Sequence, residues 1–181
     1  MTKVAILGFG TVGSGVAEVL SKNSQGIARR SGGEIQVKYI LDVRDFPDSP
    51  FKDCFVKDFS IIENDPEVDV VVETIGGAKV ALEFTTRALK AGKSVVSSNK
   101  ELVATHGYEL LQLAKANGVS YLFEASVGGG IPILRPLTNC LAANEVEQIT
   151  GILNGTTNYI LTRMIKAGLT FEQALKEAQE N

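Results

Sequence analysis

The 181-residue chain has few of the residues that build metal sites and disulfide frameworks. It contains two cysteines, one histidine and no tryptophan. Cys54 and Cys140 lack metal-ligand spacing and form no disulfide framework, so we expect reduced cytosolic thiols that pack as small apolar groups. His106 has no second histidine or nearby cysteine with which to share a metal, and we interpret it as a helix-cap or surface residue.

The chain also lacks an excess of positive charge and a long hydrophobic run. Its 18 Lys and Arg against 21 Asp and Glu give a net charge of -3 and a pI near 5.3, which provides no basic surface for nucleic acid. No run of about 18 apolar residues predicts a membrane span. The apolar stretch after Lys3 is shorter than the roughly 7 to 15 residues of a signal-peptide core. We therefore expect a cytoplasmic protein without nucleic-acid or membrane partners.

Short β-branched runs alternate with stretches of helical period along most of the chain. Strands are predicted at 3–7, 35–41, 69–75, 94–97 and 119–124, with a weaker one at 54–57. The intervening apolar residues form three helical stripes: Val12, Val16, Val19 and Leu20; Val80, Phe84 and Ala88; Leu110, Leu113 and Ala114. This alternation predicts an α/β fold with a doubly wound parallel sheet of the Rossmann type, six-stranded if the weak run takes part.

The alternation stops near residue 130, where we predict a boundary between domains 1–130 and 131–181. Pro132 suits the first turn of a helix that would run to about Ala143. A strand at 145–153 and two helices follow, and Thr170 and Gln173 have the spacing of a capping box for the second. Residues 131–181 thus predict an incomplete α+β domain, whose single strand needs a partner because a lone strand is unstable.

The first predicted strand runs into GFGTVGSG, where Gly8, Gly10 and Gly13 have the spacing GxGxxG. In a dinucleotide-binding loop the first glycine permits a tight turn, the second lets the backbone approach a pyrophosphate, and the third lets the helix pack on the sheet. A plain glycine turn is the alternative. The position after the first strand of a doubly wound sheet favours dinucleotide binding.

The second strand ends at Asp42 and Arg44, where the adenosine ribose of a dinucleotide is usually recognised. Asp42 would accept a hydrogen bond from a 2′-hydroxyl and favour NAD, whereas Arg44 would pair with a 2′-phosphate and favour NADP. A solvated charged turn is a third interpretation. The sequence leaves all three open.

Polar residues also follow the other strands, and the carboxyl ends of parallel strands line one crevice. Thr74, Ser98 and Lys100 should therefore lie near the same ligand. Lys100 is either a surface lysine near a helix start, or a group that binds a carboxylate or carbonyl oxygen, or a proton donor if burial or a second cation lowers its pKa. Glu124 is either a helix-terminus acceptor or a ligand of a hard cation, together with carbonyls of the following glycine loop.

Three stretches together, GFGTVGSGV, FEASVGGGIPIL and GILNGTTNYIL, with SSNKELV between the first two, resemble homoserine dehydrogenase. The resemblance covers essentially the whole chain. It implies NAD(P)-dependent interconversion of aspartate 4-semialdehyde and homoserine, in the biosynthesis of threonine and methionine. It also implies a small amino-acid substrate and a homodimer or higher homo-oligomer for the full-length protein.

The resemblance further implies roles for particular residues. The cofactor would be held by the loop Gly8, Phe9, Gly10, Thr11, Val12 and Gly13, with Thr74 and Ser98 nearer the nicotinamide. Lys100 would lie at the junction of cofactor and substrate, and Gly155 and Thr156 would contact the substrate, although Asn154 or Thr156 is also a plausible helix N-cap. A monovalent cation, sodium, would be bound by the side chain of Glu124 and the carbonyls of Val127, Gly129 and Ile131.

One feature of the family has no match. Members continue after the final helix with a segment that carries substrate-binding carboxylates and a second lysine, usually assigned as the proton donor, and this sequence has none of it up to Asn181. We therefore expect a cofactor-binding portion with weak or absent turnover by itself. The alternatives are a short oxidoreductase of another substrate class that uses Lys100 as its only acid, and a non-catalytic dinucleotide-binding module.

Overall fold

A computed structural model of the chain describes residues 1–152 and 154–180. These residues form two compact units, Met1–Ser126 and Val127–Asn181. The division lies a few residues before the boundary predicted from the sequence. No helix of the described ranges is both long enough and apolar enough to cross a membrane.

The first unit is built on a single parallel sheet. Its strands are β1 (Thr2–Leu7), β2 (Ile35–Leu41), β3 (Phe55–Val56), β4 (Val68–Glu73), β5 (Ser94–Ser97) and β6 (Tyr121–Leu122). They are arranged in the order β3-β2-β1-β4-β5-β6, and every pairing is parallel. The chain therefore winds outward in both directions from β1, as in a Rossmann fold. The predicted sheet is confirmed, including its weak strand, although β6 is shorter than expected.

Five helices connect these strands: α1 (Thr11–Lys22), α2 (Ser24–Ser31), α3 (Phe59–Glu63), α4 (Ala78–Lys90) and α5 (Lys100–Ala116). The predicted apolar stripe of α1 is partly wrong, because Val12 and Val19 are 52% and 51% exposed while Gly13 and Ala17 are buried. The physical reason is that small residues let α1 lie close to the sheet. In α4, likewise, Val80 is exposed and Ala81 is buried.

Alternate residues of β1 belong to two separate core clusters, as expected for a strand buried on both faces. Ala5 and Leu7 pack in one cluster with residues of α4 and α5, such as Leu110. Val4 and Ile6 pack in the other with Ala17 of α1. The sheet is therefore covered on both sides, and its strand ends are the part of it left for ligands.

The second unit contains a π-helical turn (Pro136–Cys140) and two helices, α6 (Gly155–Ala167) and α7 (Phe171–Glu180). The guanidinium of Arg163 on α6 donates hydrogen bonds of 2.7 and 3.0 Å to the carboxylate of Glu177 on α7. The capping box at α7 is confirmed: the Thr170 N–H donates to Gln173 at 3.0 Å, and the Gln173 N–H donates to the Thr170 hydroxyl at 3.3 Å.

One prediction for the second unit is partly wrong and another is wrong. The helix predicted from Pro132 to about Ala143 is present but shorter, at 134–140. Residues 145–152 form no strand. Residue 153, the end of the predicted strand, lies outside the described residues. The strand is missing because a strand requires a hydrogen-bonded neighbour, and no other strand occurs among the described residues of this unit.

Adjacent leucines of α5 test the packing of the first unit. Leu110 is 2% exposed and Leu111 is 41% exposed. We expect Leu110→Ala to lower the free energy of unfolding by about 2 to 5 kcal/mol, because it leaves a cavity in the core. Leu111→Ala, the matched control, should cost less than about 1 kcal/mol. Urea denaturation followed by circular dichroism measures both, and equal losses would contradict the packing described here.

Candidate functional site

The glycine loop after β1 holds α1 against the end of β4. Gly8 has a φ of +90°, which favours glycine, and its N–H donates to the carbonyl of Leu41 at 2.8 Å. A Cβ on Gly13 would lie 1.9 Å from the Gly8 carbonyl oxygen and 2.9 Å from Oγ1 of Thr74. A Cβ on Gly10 would meet nothing within 4 Å. Gly8 and Gly13 thus build the turn, and the backbone at Gly10 faces open space.

The start of α1 has the properties of an anion site. Gly10 is its N-cap residue and supplies no side-chain hydrogen bond, and no acidic residue lies in the first turn. The first N–H groups of a helix lack intrahelical acceptors and carry a partial positive charge. Thr11 and Val12, both exposed, form this first turn together with Gly13. A phosphate over Gly10 would therefore meet backbone donors.

Asp42 and Arg44 form an ion pair beside the glycine loop. The buried Asp42 carboxylate accepts hydrogen bonds from the Phe9 N–H at 2.7 Å, the Arg44 N–H at 2.9 Å and the Arg44 guanidinium at 3.0 and 3.1 Å. The Arg44 side chain is the main reason why the pKa of Asp42 lies well below its usual value. The Asp42 side chain is therefore buried, although the turn that follows it is exposed. Its carboxylate fixes the orientation of the Arg44 guanidinium, and the Arg44 side chain is 59% exposed.

Lys57 is a second cation at this turn, which the sequence reasoning did not single out. Its ammonium donates to the carbonyls of Asp42, Val43 and Arg44 at 3.1, 3.1 and 2.6 Å. It also pairs with Asp45 at 2.8 Å. The only signal in the sequence was a lysine at the end of the weak strand predicted at 54–57.

A cleft of about 470 Å³ opens between the glycine loop, the turn after β2 and the start of α4. Its polar side is formed by the loop glycines and the charged groups just described. Its apolar side is formed by Leu41, Val43, Ile75, Val80 and Phe84. A flat apolar group such as a purine could be covered by this side while its ribose faces Arg44.

The predicted residues at the ends of β4 and β5 occupy different environments. The hydroxyl of Thr74 donates to the carbonyls of Leu7 at 2.9 Å and Gly8 at 3.1 Å, so it supports the glycine loop. The N–H of Ser98 donates to the carbonyl of Glu73 at 3.2 Å. Lys100 is the first residue of α5 and is exposed, and its ammonium makes no hydrogen bond or ion pair with the described residues. Its ammonium is thus available to a ligand.

Glu73, the last residue of β4, was also missed. It is fully buried, and burial is the main cause that raises the pKa of its carboxyl group. The signal in the sequence was an acidic residue at the end of the apolar run VVVETI. A buried carboxyl at a strand end is unusual enough to mark a candidate functional site.

The residues predicted to bind the cation are divided between the two units, and Gly155 and Thr156, predicted to contact the substrate, lie in the second. Glu124 begins a 3₁₀ turn at the end of the first unit. Val127, Gly129 and Ile131 lie in the second, where Gly128 and Gly129 have φ values of +73° and +59°. Gly155 and Thr156 begin α6, and Asn154 is its N-cap, accepting from the Thr157 N–H at 2.8 Å. No cluster of three or more His, Cys, Asp or Glu suited to a metal occurs among the described residues. The carbonyl-based sodium site stays a prediction.

The sequence matches two family models that divide the chain. Residues 8–124 match the NAD binding domain of homoserine dehydrogenase, and residues 132–181 match a second model, described as homoserine dehydrogenase. The chain belongs to the homoserine dehydrogenase family. The glycine loop, Asp42, Arg44 and Lys100 all lie within the first match.

Individual homoserine dehydrogenases are similar over nearly the whole chain. The enzyme of Bacillus subtilis is 43% identical over 98% of this chain and 42% of its own length, and that of Pseudomonas aeruginosa is 44% identical over 98% and 41%. The crystal structure from Thiobacillus denitrificans has a TM-score of 0.90 at 41% identity, covering 99% of this chain and 42% of that one. A hyperthermophilic archaeal homoserine dehydrogenase in complex with NADPH has a TM-score of 0.83 at 29% identity, with coverage of 99% and 60%. The chain thus spans about two fifths of the length of its curated relatives.

Two glycines of α1 test the close approach of this helix. We expect Gly13→Ala to lower the free energy of unfolding by about 1 to 3 kcal/mol or more, because the methyl group overlaps the Gly8 carbonyl. Gly15→Ala, in the same helix but with nothing within 4 Å, should raise it by about 0.5 to 1 kcal/mol. Thermal unfolding of both variants is the measurement, and a change of the same sign in both would contradict this geometry.

Proposed function

We propose that this chain forms the cofactor-binding part of a homoserine dehydrogenase, which interconverts L-homoserine and L-aspartate 4-semialdehyde with NADP or NAD. The observation that carries the proposal is the cleft in which an open glycine loop and the start of a helix lie beside an oriented arginine. Membership of the family supports the substrate. The proposal places the protein in the biosynthesis of aspartate-derived amino acids.

The cofactor would extend across the carboxyl ends of the strands, where the strand order reverses between β1 and β4. Its pyrophosphate would contact the backbone at Gly10 and the N–H groups of Thr11, Val12 and Gly13. The N–H of Phe9 already donates to Asp42, so Phe9 would act by holding Asp42 in place. The nicotinamide would lie over the ends of β4 and β5, near Thr74 and Ser98.

The charges at the ribose end favour NADPH over NADH. Asp42 already accepts four hydrogen bonds, so a 2′-hydroxyl would have to compete with Arg44 for it. The Arg44 guanidinium remains accessible and lies 5.0 Å from the centre of the Phe46 ring. The Lys57 ammonium is occupied by the carbonyls of this turn and holds the turn in place. An accessible guanidinium suits a phosphate.

In the reductive direction the bound nicotinamide supplies a hydride to the aldehyde carbon. The chain must then stabilise the negative charge that develops on the aldehyde oxygen. Lys100 is the exposed cation nearest in sequence to the end of β5, and we assign to it the binding of substrate and the neutralisation of the alkoxide. Gly155 and Thr156, at the start of α6, would contact the amino-acid part of the substrate.

The proposal also includes a bound sodium ion and a homo-oligomer. The carboxylate of Glu124 and the carbonyls of Val127, Gly129 and Ile131 are all oxygen donors, which suits a hard cation, and the left-handed glycines turn the backbone sharply there. A homo-oligomer is supported by apolar side chains exposed on the second unit, including Ile149, Ile165 and Phe171.

Cofactor preference tests the role of Arg44. We expect Arg44→Ala to weaken NADPH binding about 10- to 100-fold and NADH binding much less, because only NADPH carries the 2′-phosphate that a charged hydrogen bond would recognise. Arg30→Ala, an exposed arginine of α2, is the control with the same change of charge. Calorimetric titration of both cofactors measures the effect. An unchanged preference for NADPH in Arg44→Ala would remove Arg44 from the phosphate site.

Turnover with aspartate 4-semialdehyde tests the proposed activity and Lys100. Because the turnover expected of this chain by itself is weak, we expect Lys100→Ala to bring the rate of NADPH oxidation to background, a loss of roughly 10²-fold or more, with little change in cofactor affinity, since it removes the group that neutralises the alkoxide. Lys115→Ala, in the last turn of the same helix, is the control. Turnover with other aldehydes only would indicate a different substrate class. Tight cofactor binding without hydride transfer to any aldehyde, together with a stable heteromeric complex, would indicate a non-catalytic module.

A further inference from the structure

The buried carboxyl group of Glu73 joins two neighbouring strand ends. One oxygen accepts a hydrogen bond from the Ile75 N–H at 2.7 Å, just after β4. The other accepts from the Ser97 hydroxyl at 2.6 Å, at the end of β5. No lysine or arginine of the described chain pairs with Glu73, and burial raises its pKa against the effect of these hydrogen bonds. The group is thus buried at an energetic cost that a cation does not offset.

Ser97 and Asn99 extend this network to the start of α5. The Ser97 hydroxyl accepts from the Asn99 N–H at 3.0 Å, and the Asn99 side-chain carbonyl caps α5 by accepting from the Leu102 N–H at 3.0 Å. The Asn99 amide group donates to the carbonyls of Ile75 at 3.1 Å and Gly77 at 2.8 Å. Ile75 is therefore held twice, through its N–H by Glu73 and through its carbonyl by Asn99.

Tyr121 of β6 brings a further polar group to the same region. Its hydroxyl is buried and makes no hydrogen bond within the described residues. Burial raises its pKa to about 12, and the nearby charge of Glu73 acts in the same direction, so the hydroxyl stays protonated. A buried donor without an acceptor is rare in folded proteins.

We propose that Glu73 is a positioning residue for the nicotinamide half of the cofactor site. Through Ser97 and Asn99 it sets the relative position of the loop after β4 and the first residue of α5, Lys100. Asp42 holds the glycine loop and Arg44 in a comparable way at the adenosine half. A purely structural site would need no such carboxyl group, because well-packed apolar side chains stabilise a core at least as well as buried polar networks.

This inference rests on the proposed dinucleotide binding. A compound that carries only half of the cofactor distinguishes a failure of the inference from a failure of dinucleotide binding. NADPH spans both halves of the site, whereas 2′,5′-ADP carries only the adenosine half with its phosphate groups. We expect Glu73→Ala to weaken NADPH binding about tenfold or more and 2′,5′-ADP binding only about two- to threefold, because Ile75 of the altered loop also lines the apolar side of the cleft, whereas Ser97 lies at the end of β5. Calorimetric titration of the purified protein with each compound measures both.

Conservative variants separate positioning from folding. Glu73→Gln should recover most of the NADPH affinity, because its amide oxygen can still accept from the Ile75 N–H. Ser97→Ala should reproduce the selective loss and remains informative if Glu73→Ala does not fold. Thr85→Val, which removes a buried hydroxyl without a hydrogen-bond partner in the described residues, is the control and should leave both affinities unchanged.

Each remaining outcome overturns the inference. Equal losses for NADPH and 2′,5′-ADP would mean that Glu73 supports the fold in general. Unchanged NADPH binding in both Glu73→Ala and Ser97→Ala would mean that the network positions nothing that the cofactor contacts. If the wild-type protein bound neither compound, the proposed dinucleotide binding would fail and the inference with it.

Discussion

The close approach of α1 to the ends of β1 and β4 is the constraint on which the candidate site depends. At Gly13 there is no room for a single carbon atom, because the Gly8 carbonyl oxygen and the Thr74 hydroxyl occupy its place. The same contact turns the glycine loop so that the backbone at Gly10 faces open space. It also explains why the buried face of α1 carries Gly13 and Ala17 rather than the valines of its apolar stripe.

Two buried carboxyl groups organise the strand ends around this contact, and their environments move their pKa values in opposite directions. Asp42 lies against a guanidinium, which favours its ionised form and lowers its pKa. Glu73 has only neutral donors, so the cost of burial dominates and raises its pKa. The first arrangement suits the recognition of a phosphate through Arg44, and the second suits the holding of two loops in register.

The second unit has a different balance of forces. Among its described residues only Ile160 and Ala174 are buried hydrophobic residues, and the ion pair between Arg163 and Glu177 joins its two main helices. Such an exposed ion pair contributes little stability by itself. The apolar side chains of this unit, such as Ile165, are therefore available for contact with further protein surface, in agreement with the proposed self-association.

The sequence by itself determined the order of the six strands and of α1, α4 and α5 in the first unit, and the location of the glycine loop. Both are encoded locally, in β-branched runs, in helical periodicity and in glycines whose spacing has a direct steric reason. It also correctly indicated Asp42, Arg44 and Lys100 as residues at strand ends. Only the tertiary structure decided that Asp42 and Arg44 act as a pair, that Lys57 reaches the same turn, and that Glu73 joins β4 to β5. These contacts connect residues 2, 13 and 24 positions apart, and hydrogen bonds over such separations leave no periodic pattern in a sequence.

The predicted strand at 145–153 was wrong for a related reason. A strand exists only when another strand pairs with it, and local residue preferences cannot supply that neighbour.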